Sequence, residues 1–282
     1  AQHRLQAEQA WREAAELFVE VAETFDSQSR KEYPDDLWVA AHCYLKAGAH
    51  DEAAQVLARF LKENPNDPRV PQAKVELARQ LEVRQCWDEA ITLLQDLLDR
   101  HGSTLQAFEA AYLLGQAFIR KGDGFYEEAG KSDQYYDKAE EVLRLLLESS
   151  EKVDPRSFWY QQSLLELGRL LHRRGKYDKA ILRLSEYVQR YADDLDSLSA
   201  RYLLASACRR QAIDARTRSE SETSPAQKEA LRELARQKLE RVVLEFQELI
   251  PRYERLTPEQ VTPLRDQEYR NVLFELAESL YE

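Results

Sequence analysis

Residues 177–191 read YDKAILRLSEYVQRY. An aromatic side chain opens the stretch at Tyr177. Ala180, Leu184, Tyr187 and Tyr191 follow at steps of three, four, three and four. An α-helix turns every ~3.6 residues, so these steps place all five side chains on one stripe. The same spacing recurs along the chain: Trp11, Ala14, Phe18, Val21, Phe25, then His50, Ala53, Leu57, Phe60, Asn64. It returns as Trp87, Ala90, Leu94, Leu97, His101, as Tyr136, Ala139, Leu143, Leu146, Ser150, and as Arg232, Ala235, Leu239, Val242, Phe246. Alanine holds the second place every time, and Leu or Phe the third, which marks an internal repeat.

A second kind of helical segment precedes each of the last five. These segments are WVAAHCY (38–44), VELARQL (75–81), YLLGQAF (112–118), LELGRLL (165–171) and YLLASAC (202–208). Each has a small residue at one matching place: Ala41, Ala78, Gly115, Gly168 and Ala205. Two helices joined by a short turn approach closely only where no bulky side chain intervenes. The small residue is therefore expected to meet the alanine of the second helix. Gly48 and Gly175 fall between the helices of a pair. Asn64-Pro65-Asn66-Asp67-Pro68 and Asp154-Pro155 fall between pairs, where proline stops a helix.

The rest of the composition agrees. Of 282 residues, 43% are hydrophobic and 32% charged, with only 8 Gly and 9 Pro, so the chain is rich in helix formers. The formal charge of −11 disfavours a nucleic-acid partner, since phosphate backbones are repelled. No run of about 18 apolar residues is present, so no transmembrane segment is expected. The first residues, AQHRLQAEQAW, have no signal-peptide pattern and no initiator methionine, and are read as the start of a processed or truncated piece. Cys43, Cys86 and Cys208 are too few for a disulfide framework. Cys43 and Cys208 read as core thiols, and Cys86, at a turn, as partly exposed.

Nothing in the sequence assembles a catalytic site. The histidines His3, His42, His50, His101 and His172 lack metal-ligand spacing, and HExxH, CxxC pairs and GxSxG are absent. GDG at 122–124 follows no strand and reads as a loop. The expectation is a non-enzyme with no cofactor and no metal.

The repeat resembles the tetratricopeptide repeat (TPR) family over about residues 5–282, in its small, alanine and bulky positions. The segment FLKENPNDPRVPQAKVELARQLEVRQCWDEA (60–90) is especially similar to bacterial envelope members, such as the Tol-Pal-associated coordinator and outer-membrane assembly lipoproteins. The resemblance implies an all-α, right-handed solenoid of antiparallel helix pairs, and a compartment that is either the bacterial periplasm and envelope or the cytoplasm. The chain is read as one domain over 1–282: about five full pairs, an opening half repeat (4–25) and a closing half repeat (272–282). Repeat starts lie 39, 37, 49, 41 and 55 residues apart, against about 34 for the family. Two insertions stand out. GDGFYEEAGKSDQ (122–134) is expected as an extended loop or an extra turn. The stretch between Cys208 and Arg232 is expected to lengthen both helices around a polar loop near Ser219 to Ser224. Neither end looks like a polar cap, so continuation past Glu282, or docking of another chain there, is expected, self-association through the last helix included.

In the family, first-type helices line a concave face. Carried over, that face holds Trp38 beside His42 and Lys46, Arg79 beside Val75 and Glu76, then Tyr112 and Arg120 with Gln116. It continues with Arg169, His172 and Arg173, and ends with Tyr202, Arg209 and Arg210. Arginine forks match carboxylates, and tyrosines add apolar area with a polar tip. One reading is a groove for an acidic peptide or partner protein, which makes the chain a scaffold or adaptor. The other is a solvated face whose arginines pair with neighbouring Glu and Asp. The asparagines of a chaperone-tail clamp are missing, since those places hold His42, Arg79, Gln116, Arg169 and Ser206. A recruiting or regulatory repeat region of a larger enzyme is the alternative role.

Overall fold

The computed structural model describes residues 2–24, 32–102, 104–125, 127–148 and 154–281. Among them are twelve α-helices and no strand. The chain divides into two compact units, Ala1–Leu146 and Leu147–Glu282.

The first unit opens with α1 (Gln2–Thr24). It continues with the pairs α2 (Tyr33–Lys46) and α3 (His50–Glu63), α4 (Val70–Val83) and α5 (Trp87–His101), and α6 (Leu105–Gly124) and α7 (Ala129–Glu148). Successive helices pack on one another, and the landmark residues form the core. Ala53, Leu57, Phe60, Ala90, Leu94 and Leu97 are wholly buried. The second unit holds the pairs α8 (Phe158–Arg173) and α9 (Tyr177–Arg190), and α10 (Ser197–Ser221) and α11 (Pro225–Glu254), followed by α12 (Pro263–Tyr281). Ala180, Leu184 and Tyr187 are wholly buried there, and Phe246 lies under α10.

Three turns within pairs share one hydrogen-bond pattern. In the first, Ala47 N–H donates to Cys43 O and Ala49 N–H to Tyr44 O. Arg84 and Cys86 repeat it onto Gln80 and Leu81, and Arg174 and Lys176 onto Leu170 and Leu171. This Schellman closure needs a left-handed residue at its centre. Gly48 and Gly175 supply it at φ +67°, and Gln85 adopts it at φ 59° without glycine's freedom.

The contact at the small residues differs from expectation. A Cβ built on Gly115 would lie 2.7 Å from Leu143 Cδ2, and one on Gly168 would lie 2.6 Å from Leu184 Cδ2. The glycine therefore receives the leucine of the partner helix, not its alanine. Leucine reaches across where alanine is too short, and alanine lets the backbones close up beside it.

The opening helix also departs from its expected register. Ala15 and Ala22 are buried, and the expected Ala14 and Phe18, with Val19, pack partly buried on the same core, while Trp11 and Val21 face outward. Two alanines allow close approach to α2, which a stripe led by Trp11 does not. Trp11 instead lies under the Lys46 ammonium, 4.2 Å from its ring centroid. Phe25 and Ser150 lie outside the described residues.

Both insertions are absorbed as helix. α6 and α7 each run 20 residues, against 14 or 15 in the pairs before them. Phe125 stacks on Tyr135 at 5.6 Å where they meet. α10 and α11 reach 25 and 30 residues, and the connection between them shrinks to residues 222–224. The closing helix begins at Pro263, earlier than the expected 272.

Candidate functional site

In the first unit, most of the expected face is already engaged. Trp38 packs on Phe60 at 5.6 Å and on His42 at 4.4 Å, with the Arg69 guanidinium 5.6 Å from its ring. Arg79 on α4 pairs with Glu109 on α6. Tyr112 is buried, and its hydroxyl accepts from Gln116 Nε2 at 2.7 Å. Arg120 is exposed. Near Arg79 and Arg120 sits Glu82, whose carboxyl burial pushes up to about 7 against the pull of those two cations. One of its oxygens is buried without a hydrogen-bond partner.

In the second unit, α10 carries the more informative surface. Tyr202 and Arg209 were expected to line an open face, yet both are buried, and α12 of the same chain covers them. Ser199 Oγ donates to Glu268 at 2.7 Å, and Tyr253 of α11 donates to the same carboxylate at 3.2 Å. Ser206 Oγ and Tyr202 OH donate to Glu275 at 3.1 and 3.2 Å. Arg209 donates to Ser279 Oγ at 3.1 Å and pairs with Glu278 at 3.0 Å. The buried stripe of α12 is thus Glu268, Val272, Glu275 and Ser279. Burial raises the Glu268 carboxyl, against the pull of Ser199 and Arg169. It also lifts the Tyr202 hydroxyl to about 12, with Glu275 adding to the effect.

The remaining α8 residues divide. Arg169 pairs with Glu166 one turn away at 2.8 Å. His172 is lowered to about 4, first by burial and then by the charge of Arg210. Its Nε2 is buried without a partner, and its ring meets Tyr177 edge-on at 5.6 Å. Arg173 and Arg210 reach solvent. The structure therefore brings His172 and Arg210 together, and it leaves Arg120, Arg173 and Arg210 as the exposed cations among the ten residues singled out.

Sequence reading missed the carboxylates. Glu82 and Glu109 sit among the arginines of α4 and α6, and Glu268 and Glu275 sit inside the last interface. A signal existed for the latter pair. The positions 268, 272, 275 and 279 step by four, three and four, a buried-stripe spacing filled with Glu, Val, Glu and Ser.

The thiols Cys43 and Cys208 are raised by burial, as core thiols are, and the described cysteines are free. Among the described residues no cluster of three His, Cys, Asp or Glu is placed to hold a metal, and no helix is long and apolar enough to cross a membrane.

Three family profiles, each described as tetratricopeptide repeat, match residues 5–77, 76–152 and 162–194. No curated protein matches the chain. Several solved structures share its fold. One is YrrB, described as a TPR protein with an unusual peptide-binding site: 13% identity, 82% of this chain and 93% of that one, TM-score 0.51. MamA matches at 17% identity over 81% of this chain and 100% of its own, TM-score 0.51. BtubC from P. vanneervenii matches at 12% identity over 90% and 93%, TM-score 0.51.

Proposed function

Because this chain belongs to the tetratricopeptide repeat family, we propose that it is a protein-interaction scaffold whose first-type helices capture an acidic peptide segment. In the second unit, the exposed cations Arg173 on α8 and Arg210 on α10 meet the peptide's carboxylates. The observation that supports this most is α12. It is a helix bearing Glu268, Glu275 and Glu278, held on α10 by two serine hydroxyls, a tyrosine and an arginine. The chain thus contains, within itself, a worked instance of how α10 recognises an acidic helix. A likeness to YrrB, whose description includes a peptide-binding site, is compatible with the same role.

Capture of this kind is charge-driven at the rim, so it weakens with salt and with reversal of the cations. The test is fluorescence anisotropy of a labelled oligoglutamate peptide with the full chain. Arg173→Glu with Arg210→Glu is expected to lower affinity about ten-fold, or about 1.4 kcal/mol, with the helical circular-dichroism signal intact. Equal affinity of the variant and the parent would refute the reading.

A further inference from the structure

The lengthening of α6 and α7 has a consequence in the middle of the first unit. α4 ends at Val83, five residues past its small residue Ala78, whereas α6 ends at Gly124, nine past Gly115. α5 starts at Trp87, three residues before Ala90, whereas α7 starts at Ala129, ten before Ala139. The longer pair therefore overhangs the turn between α4 and α5. Phe125, at the tip, is held by near-parallel stacking on Tyr135, with 8° between the planes and 5.6 Å between the centroids. Between that tip and the turn lies a cleft of about 380 Å³, within the roughly 300–1,000 Å³ of small-molecule sites.

The lining of the cleft sorts by what each group already does. Trp87 and Phe125 supply ring surface. Asp88 and Lys121 pair with each other, and the Lys121 ammonium also lies 4.9 Å from the Tyr135 ring centroid, so both of these charges are committed within the protein. Glu89, on the first turn of α5, and Arg120, near the end of α6, are both exposed, and neither makes a hydrogen bond or an ion pair among the described residues. Arg120 has the longer-range pull of Glu82 from outside the cleft. What is left for a ligand is one carboxylate, one guanidinium and two aromatic rings. A simple anion would be repelled by Glu89, and a simple cation by Arg120. A ligand carrying both an ammonium and a carboxylate satisfies the two together, and an apolar side chain on it covers the rings.

We infer that this cleft binds a free α-amino acid with an aromatic or branched apolar side chain, its carboxylate on Arg120 and its ammonium on Glu89. The site belongs to the first unit alone and does not depend on peptide capture by the second.

Cys86 reports occupancy, because it lines the cleft as a free thiol with its Sγ exposed. The full chain is alkylated with N-ethylmaleimide, with and without L-phenylalanine at about 10 mM, a concentration that fills a site of millimolar affinity. Peptide mass spectrometry follows the rates at Cys86 and Cys208. Phenylalanine is expected to slow Cys86 at least five-fold and to leave Cys208 unchanged. N-acetylphenylalanine lacks the ammonium and phenylalaninamide lacks the carboxylate, and each should need at least ten-fold more ligand for the same protection. Arg120→Gln and Glu89→Gln should each weaken protection at least five-fold with the helical circular-dichroism signal intact. Gly124→Leu should abolish it, since Gly124 lines the cleft and a Cβ built there meets no atom within 4 Å. No protection by phenylalanine overturns the proposal and leaves a solvent-filled cleft. Equal protection by all three ligands overturns it as apolar adsorption only. Protection that the Arg120, Glu89 and Gly124 variants leave unchanged overturns it by placing the ligand elsewhere.

Discussion

Replacing Gly168 with alanine sets two known effects against each other. Alanine in a helix interior is favoured over glycine by about 0.8–1.0 kcal/mol. The added methyl, however, would stand 2.6 Å from Leu184 Cδ2 and 2.8 Å from Leu184 Cγ. Cγ is the branch carbon, not the tip, and Leu184 is wholly buried, so the side chain cannot swing clear without moving its neighbours. Overpacking of that kind costs about 1–3 kcal/mol, with this contact toward the upper end. The expected net result is a loss of about 1–2 kcal/mol. In urea this moves the midpoint down by about 0.5–1 M, read from the loss of helical circular dichroism. The decisive arm is the same change made over Leu184→Ala. That substitution alone costs about 2–5 kcal/mol, but it removes the obstacle. Gly168→Ala should then stabilise by about 1 kcal/mol, a reversal of sign and a coupling of about 2–3 kcal/mol. If Gly168→Ala stabilises the unaltered chain, the leucine-into-glycine contact is not what holds α8 on α9.

Two other outcomes follow from single residues. Gln85→Gly should raise stability by roughly 0.5–1 kcal/mol, because Gln85 occupies a left-handed conformation that glycine adopts freely, and Gly175→Ala should lower it by a similar amount; urea titration checks both. Glu82 predicts a pH dependence. Its carboxyl is held at about 7 in the fold, above its ordinary 4.5, so the folded chain binds that proton more tightly than the unfolded one. The stability it contributes is full below pH 4.5 and is lost as pH rises through about 7. Glu82→Gln should abolish that part of the slope and leave the neutral-pH protein more stable by about 1–3 kcal/mol, which thermal melts across pH 4–8 resolve.

The fold was legible because helix pairing writes itself at short range. A stripe such as Ala53, Leu57, Phe60 lies within a dozen residues, and its burial follows from spacing alone. What the small residues touch was not legible. Which of two neighbouring side chains fills the gap at Gly168 depends on reach between helices, and Leu184 wins over Ala180 by length. The register of α1 was misread for a related reason. Trp11 looks like a core anchor in any list of apolar residues, but the alanines Ala14, Ala15 and Ala22 are what let that helix come close. The proposed binding face was half legible. First-type helices do carry Arg173 and Arg210 in the open. Tyr202 and Arg209 look the same in sequence, and their burial depends on a helix some 70 residues further along the chain. No local pattern on α10 announces that cover.

The polar lining beneath α12 has a consequence for solubility. A helix that parts from its neighbour usually bares grease, and chains in that state stick together. Toward α10 the stripe laid open would be two carboxylates and a serine around one wholly buried valine, Val272, facing serines, a tyrosine and an arginine, while toward α11 Tyr269 and Leu276 would leave Val242, Phe246 and Leu249 bare. Water can take over most of those bonds. The joint of α12 is therefore mixed, wettable against α10 and apolar against α11, unlike the leucine-into-glycine joint between α8 and α9.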